Sequence, residues 1–376
     1  MIISILAVLF TFGLVIFLHE FGHFIFCKLS GIKVEAFSFG FGKELYGRTS
    51  GPTRYSIRAI PLGGYVKPAG ETLDEVSGAS DEYFSKPWYI RLGVVLSGPF
   101  MNYLLAFVLF SGVILIVGEP RPSTEPVIGE VTSGYPADLA GLKKGDRIIK
   151  VSGMDVPTWD AMAKEIHARL EKEVVVVYRR GDVESEVKLV TRPSPEGGPV
   201  RGVIGISPGP VYLRVPLIKG VRMGLHQCWY WTRFTVETLA SNVVKREKPD
   251  LAGPIGIVNI VSKAAHTGMA DLFFLIGLIS VAVGFFNLLP IPLLDGGWAL
   301  LFLFEGIFRR KITPTVMKVM NGTGMAMLLS ILIFATYSDL ARIKASHDAK
   351  KAAAATQEGV DETAKQFGIA VPVKGK

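Results

Sequence analysis

His19, Glu20 and His23 stand in the run Ile16-Phe17-Leu18-His19-Glu20-Phe21-Gly22-His23-Phe24-Ile25-Phe26, an HExxH spacing inside an apolar stretch. On a helix, residues four apart share one face, about 6 Å apart along the axis, so both imidazoles can reach a single metal ion. Zn²⁺ takes neutral imidazole nitrogens readily, and a catalytic zinc site needs three protein ligands with a fourth position left for water. Glu20, beside the first imidazole, is placed to take the proton of that water. On a soluble helix two such histidines are usually plain surface groups. Inside a bilayer His, Glu and His are costly, and their presence there marks a functional site. A third ligand has to come from elsewhere in the chain.

The surroundings of this motif are those of a membrane protein. The 376 residues are 49% hydrophobic and only 20% charged, with a mean hydropathy of +0.38, too apolar for an ordinary soluble chain of this size. The net charge of +8 could suggest a nucleic-acid partner. No nucleic-acid motif accompanies it, and basic loops beside membrane spans account for the charge, so no nucleic acid is expected. Cys27 and Cys228 are far apart in sequence and make neither a disulfide framework nor a CxxC metal site.

Four uncharged runs are long enough to cross a bilayer. The first, Met1 to Leu18, has neither a basic n-region nor a small-residue cleavage site before His19, so it reads as a retained helix rather than a signal peptide. It places His19 and His23 towards the far end of the span. The second run, Leu92 to Gly118, begins with Ser97-Gly98-Pro99-Phe100-Met101-Asn102, whose small residues favour close helix packing. Asn102 needs a partner inside the bilayer, and packing rather than direct catalysis is the expected role. The third, Leu272 to Leu294, ends in Asn287-Leu288-Leu289-Pro290-Ile291-Pro292-Leu293-Leu294-Asp295-Gly296-Gly297. Two prolines there break the helix, which a membrane tolerates where the freed backbone lines a cavity. Asp295 is then either a helix-end residue facing water or a metal ligand. The fourth run is Val319 to Ser338.

Between the spans lie polar segments of different kinds. Residues 28–87 hold Gly-punctuated alternating runs, Phe37 to Gly42 and Tyr55 to Val66, expected to form strands or hairpins whose edge could meet an extended peptide. Residues 120–208 read as a compact soluble α+β module. Its expected parts are a strand at Val127–Val131, a helix over Trp159–Leu170, and a hairpin of Val174–Tyr178 with Val183–Val190 across Arg180-Gly181-Asp182. Its run Ala137 to Gly153 resembles a PDZ domain of the bacterial, circularly permuted type. That resemblance implies capture of extended peptides or chain ends, with Gly202-Val203-Ile204-Gly205-Ile206 similar to a carboxylate-holding loop. Tyr212 to Lys248, with Trp229, Tyr230, Trp231 and Phe234 among arginines and lysines, suits an amphipathic helix on the membrane surface. From Ala345 onwards the Ala/Lys/Glu composition predicts a mobile, weakly helical tail.

The division expected is therefore a first membrane half at 1–119, the PDZ-like module at 120–208, a second membrane half at 209–343 and a tail at 344–376. Basic residues crowd the loop 28–87 and recur at Arg309, Arg310, Lys311 and Lys318. The positive-inside rule puts both loops in the cytoplasm, with both termini and the module outside. The first and third spans then run inwards, which brings His23 and Asp295 out near the same cytoplasmic face, where one shared zinc would need them.

HExxH in the first span, a PDZ-like module in the middle and Asn-Leu-Leu-Pro-Ile-Pro-Leu-Leu-Asp-Gly-Gly in the third span together resemble the site-2 protease family of intramembrane zinc metalloproteases, over residues 1 to about 343. The resemblance implies that His19, His23 and Asp295 hold Zn²⁺ and that Glu20 is the catalytic acid/base. It also implies that Asn287, Pro290 and Pro292 lie along the substrate helix, and that region 37–66 is a membrane-associated β-element engaging unwound substrate. The implied substrates are single-span membrane proteins, anti-sigma factors or remnant signal peptides, cut after an earlier trimming step, in a bacterial inner membrane. Two departures stand out: Trp298 follows Leu-Asp-Gly-Gly where many relatives carry His, and there is one PDZ-like copy where several have two. A metal transporter would use similar ligands but calls for internal repeats and leaves Glu20 without a role. An inert scaffold would be expected to have lost one of His19, Glu20, His23 or Asp295.

Overall fold

The computed structural model describes residues 2–194, 200–245 and 253–366. Four helices have the length and apolarity to cross a membrane: Ile2–Leu29, Trp88–Val117, Met269–Leu288 and Pro314–Ala345. The chain divides into two units, residues 1–113 with 221–376, and residues 114–220.

In the first unit α1 (Ile2–Leu29) carries the HExxH residues and is followed by two long antiparallel strands, β1 (Val34–Ser50) and β2 (Thr53–Pro68). Both strands bend. Residues 53–58 pair with 44–50 and again with the start of β1, from Ala36↔Arg54 to Phe39↔Ile57, while Ala36–Phe39 also pairs with Lys67–Gly64. The hairpin thus curls until 64–68 forms one of its edges. It is fastened to α1 through aromatic rings: Phe17, Phe21 and Phe24, on one helix face, pack against Phe37, Phe39 and Tyr55. His19 and His23 fall on the opposite side of α1, since the helix period sets them about half a turn from those phenylalanines.

The helix α2 (Trp88–Val117) follows a loop organised by Glu82, whose carboxylate accepts from the N–H of Ser77 and of Gly78. Gly22 of α1 and Gly98 of α2 let the two helices approach: a Cβ at Gly22 would meet the Ser97 carbonyl carbon at 2.8 Å.

In the remainder of this unit, the expected amphipathic segment is the helix α5 (Leu217–Lys245), with Trp229, Tyr230 and Phe234 exposed; residues 246–248 of that segment lie outside the described residues. Two short helices that sequence reading did not anticipate, α6 (Pro254–Thr267) and α8 (Asp295–Phe308), flank the third span α7 (Met269–Leu288). The last helix, α9 (Pro314–Gln366), runs on into the segment expected to be a weakly helical tail, of which residues 367–376 lie outside the described residues. Its Asp339 accepts from the N–H of Gly253 and of Gly256, at 3.0 and 2.9 Å, and so caps α6.

The second unit contains the segment 120–208. Its strands are β3 (Glu119–Pro122), β4 (Ile128–Val131), β5 (Arg147–Val151), β6 (Met154–Asp155), β7 (Glu173–Arg180), β8 (Val183–Val190), β9 (Arg192–Pro193), β10 (Gly202–Val203), β11 (Ile206–Pro208) and β12 (Pro210–Leu213). The helices α3 (Pro136–Leu139) and α4 (Trp159–His167) complete it. The four-stranded sheet has the order β6-β5-β7-β8, and β11 pairs with β4. Ile128, Ile148, Val151, Met162, Val174 and Val176 are all but inaccessible at its centre. The β7–β8 turn lies at Gly181, with φ at +60°. Thr158 caps α4 by accepting from the Ala161 N–H, and a cavity of about 390 Å³ runs between α4 and the segment Val203–Pro208.

Candidate active site

The site is built on α1, α2 and the break that follows α7. Pro290 and Pro292 cannot continue a helix, and α7 stops at Leu288. Leu293 then takes a left-handed conformation, φ +72°, uncommon for a branched side chain, and turns the chain so that α8 starts at Asp295. Asp295 occupies the first turn of α8, where the helix dipole favours a carboxylate. Gly296 and Gly297 have no room for a Cβ, which would run into the carbonyls of Leu288, Leu289 and Ile291.

This turn carries Asp295 to the two imidazoles. Its Oδ2 lies 3.1 Å from His19 Nε2 and its Oδ1 3.5 Å from His23 Nε2, while the two Nε2 atoms are 3.2 Å apart. One donor atom from each of the three residues falls within 4.8 Å of the others. Both rings are aimed by α2. His23 Nδ1 donates to the Val94 carbonyl at 2.7 Å, and His19 Nδ1 lies 3.2 Å from the Asn102 amide. The second nitrogen of each ring is thereby turned to the centre, where Asp295 Oδ2 is buried without a hydrogen bond. Two imidazole nitrogens and a carboxylate oxygen without a hydrogen bond of its own, turned to one centre, make a cradle for a cation. The set of two His and one Asp is a zinc donor set that leaves a position free. The residues fit the metal.

Glu20 stands on the same wall. Its Oε2 accepts from the Val66 N–H at 3.2 Å, so the edge segment of β2 fixes the carboxylate. A cavity of about 590 Å³ opens here, lined among others by His19, Glu20, His23, Val66, Asn287 and Asp295. Asn287 therefore shares the cavity with the ligand cluster. Pro290 is exposed and Pro292 half-buried, with its carbonyl close against Gly324 of α9; neither lines the cavity. Trp298 also lines the cavity and stacks on Phe302.

Sequence reasoning passed over three participants. The Val94 carbonyl and the Val66 N–H are backbone groups, and no residue type announces them. Glu71 also lines the cavity. It keeps surface open to that space, yet the protein around it withholds enough water to push its carboxyl up to about 7, with repulsion from Glu75 adding to the rise. It lies in a glycine-rich loop with nothing in its neighbours to single it out.

The sequence profile of Peptidase family M50 matches residues 7–331. A Clostridium acetobutylicum protein named as a candidate zinc metalloprotease is 33% identical over 339 residues, covering 90% of this chain and 97% of that one. A Campylobacter jejuni protein of the same description is 35% identical over 364 residues, covering 91% and 94%. Among solved structures, the PDZ domain of the SdrC-like protein from Listeria monocytogenes covers 24% of this chain and 90% of its own, at 21% identity and a TM-score of 0.20. With its HExxH residues and a distant aspartate gathered at one zinc-compatible centre, and with the family profile spanning most of its length, the chain belongs to Peptidase family M50, the site-2 proteases, and is a zinc metalloprotease.

Proposed function

We propose that the protein is an intramembrane endopeptidase in which His19, His23 and Asp295 hold Zn²⁺ and Glu20 is the acid/base. The observation that carries this reading is the convergence of Asp295 on two histidines that belong to an apolar helix long enough to span a bilayer. Zinc bound there supplies a Lewis acid that polarises a carbonyl and makes water a nucleophile near neutral pH. Glu20 Oε2 stays on the Val66 N–H, and Oε1 takes the proton of the attacking water and delivers it to the leaving nitrogen.

A substrate helix must unwind before any of its carbonyls can be attacked, because helical carbonyls are already hydrogen-bonded. Val66 and Pro68 of the edge segment 64–68 line the cavity, so an unwound stretch can add beside that segment as a further strand. Asn287, with an amide on the cavity wall, is suited to hold the backbone of that stretch. Pro290 and Pro292 act less directly, by ending α7 where the substrate enters. In the module, the groove between α4 and Val203–Pro208 has the form that receives a peptide chain end, consistent with substrates trimmed by an earlier cut. The substrates are single-span membrane proteins of the anti-sigma-factor or remnant-signal-peptide kind. The location is a bacterial inner membrane, with the module and both termini outside and the active site near the cytoplasmic face, as the distribution of Lys and Arg supports.

The test is to map where the purified protein, in detergent, cuts a single-span substrate, using mass spectrometry of both products. A cut inside or at the border of the apolar span is expected. Cleavage confined to a soluble segment would overturn the intramembrane reading while leaving the enzyme a protease.

A further inference from the structure

We propose that Asn102 is a positioning residue for His19, presenting its amide oxygen to the ring's Nδ1–H so that His19 Nε2 keeps its lone pair for the metal. The inference rests on the zinc-ligand reading above and extends it to α2.

Asn102 is completely buried and lies one helical turn beyond Gly98. It is held from two sides. Ser280 Oγ of α7 donates to its backbone carbonyl at 2.8 Å, and a Cβ at Gly284 would stand 3.2 Å from Asn102 Cβ. The side chain therefore has little freedom other than the rotation that exchanges its amide oxygen and nitrogen. With Nδ2 at His19 Nδ1, 3.2 Å away, Oδ1 is buried and has no partner. That orientation fails at the metal. The ring nitrogen that accepts from Nδ2 forces the only N–H of a neutral imidazole onto Nε2, the atom 3.1 Å from Asp295 and 3.2 Å from His23 Nε2. An N–H there cannot bind a cation.

Exchanging the two amide positions removes this fault. Oδ1 accepts from Nδ1–H, and the Nε2 lone pair points to the centre. His23 already has this arrangement, with its Nδ1 donating to the Val94 carbonyl at 2.7 Å. The helix α2 then supplies one acceptor to each ring, a backbone carbonyl for His23 and a side-chain carbonyl for His19. Such partners fix the tautomer and orientation of zinc-bound histidines. A packing role alone asks only for a small side chain at this position and takes no account of the amide.

The experiment measures Zn²⁺ affinity of the metal-stripped, full-length protein in detergent by competition with a chromophoric chelator. Wild type is compared with Asn102→Asp, which accepts but cannot donate, and with Asn102→Leu, which has similar size and no polar atom. Asn102→Asp should remain within a few-fold of wild type, and Asn102→Leu should bind about 10–100-fold more weakly. If the leucine variant is not monodisperse, Asn102→Ala serves the same comparison. Wild-type affinity in the apolar variant would overturn the inference in favour of packing. An aspartate variant as weak as the leucine one, while still monodisperse, would overturn it in favour of an amide N–H donor. If His23→Ala binds zinc as tightly as wild type, the ligand assignment itself fails, and the inference falls with it.

Discussion

The centre depends on what is missing from one residue as much as on what others supply. Gly98 faces both imidazoles, and a Cβ there would come within 2.5 Å of His23 Cε1 and 2.8 Å of His19 Cε1. Alanine is otherwise better than glycine inside a helix, by about 0.5–1 kcal/mol. Gly98→Ala should therefore leave the protein folded but displace the rings, weakening zinc binding by at least about tenfold. Zinc titration beside a thermal melt checks this, and an unchanged affinity would mean that the rings are not held against α2. At this scale much of the site was legible in the sequence. HExxH names two donors and a base, and an aspartate just beyond two prolines in an apolar run is hard to explain as anything but a ligand or a helix end. Asn102 was legible only as a buried amide lacking a partner, because the partner is fixed by how α1 and α2 cross.

Among the elements, α8 shows how a donor is held in place from a distance. Arg91 at the start of α2 reaches Glu305 near the end of α8 at 2.5 Å, with the Arg91 side chain 4% and that of Glu305 15% exposed. The guanidinium also lies over Phe302 and Phe84, 4.7 and 5.2 Å from the ring centres, and Arg91 Nε donates to the Lys86 carbonyl. One side chain thus ties together α2, the preceding loop and the helix whose first residue is Asp295. Arg91→Ala leaves Glu305 buried without its partner and should destabilise the protein by about 3–5 kcal/mol. The double variant Arg91→Met with Glu305→Leu should recover most of that in denaturant unfolding. If it recovers none, the pair does more than neutralise itself. Neither α6 nor α8 was read from the sequence, although Gly253-Pro254 is a helix-start signal with proline in the first turn. α8 was hidden by its two leading glycines and its shortness. Those glycines are there because α8 starts against the carbonyls of Leu288, Leu289 and Ile291.

For the molecule as a whole, the chain divides into two compact units, residues 1–113 with 221–376 and residues 114–220. In the second unit, burial, the largest influence on Asp146, pushes its carboxyl up, but two 2.7 Å hydrogen bonds from Arg180 and one from the Lys143 N–H more than offset this and hold it below the usual range. A carboxylate whose folded pKa is depressed stabilises the fold above its ordinary pKa of 3.8, and that stabilisation is lost as pH falls below it. Asp146→Asn should cost about 1 kcal/mol at neutral pH, a modest value because Arg180 is partly open to solvent. The cost should shrink below pH ~4, where wild type loses the same interaction. Limited proteolysis of the unit across pH follows this, and a cost independent of pH would rule out the ion pair as its source. The alternation and turn residues of this unit made its hairpin and helix readable, whereas the curl of β1 and β2 could not be read, since their doubled register depends on the face offered by α1. Catalysis by the molecule depends on Glu20. The measurement is cleavage of a single-span substrate by wild type and by Glu20→Gln, with bound zinc quantified in both. Retained zinc with activity lowered by about 10²–10⁴-fold is the result predicted for a general acid/base. A variant that keeps its zinc and cuts at the wild-type rate would contradict it.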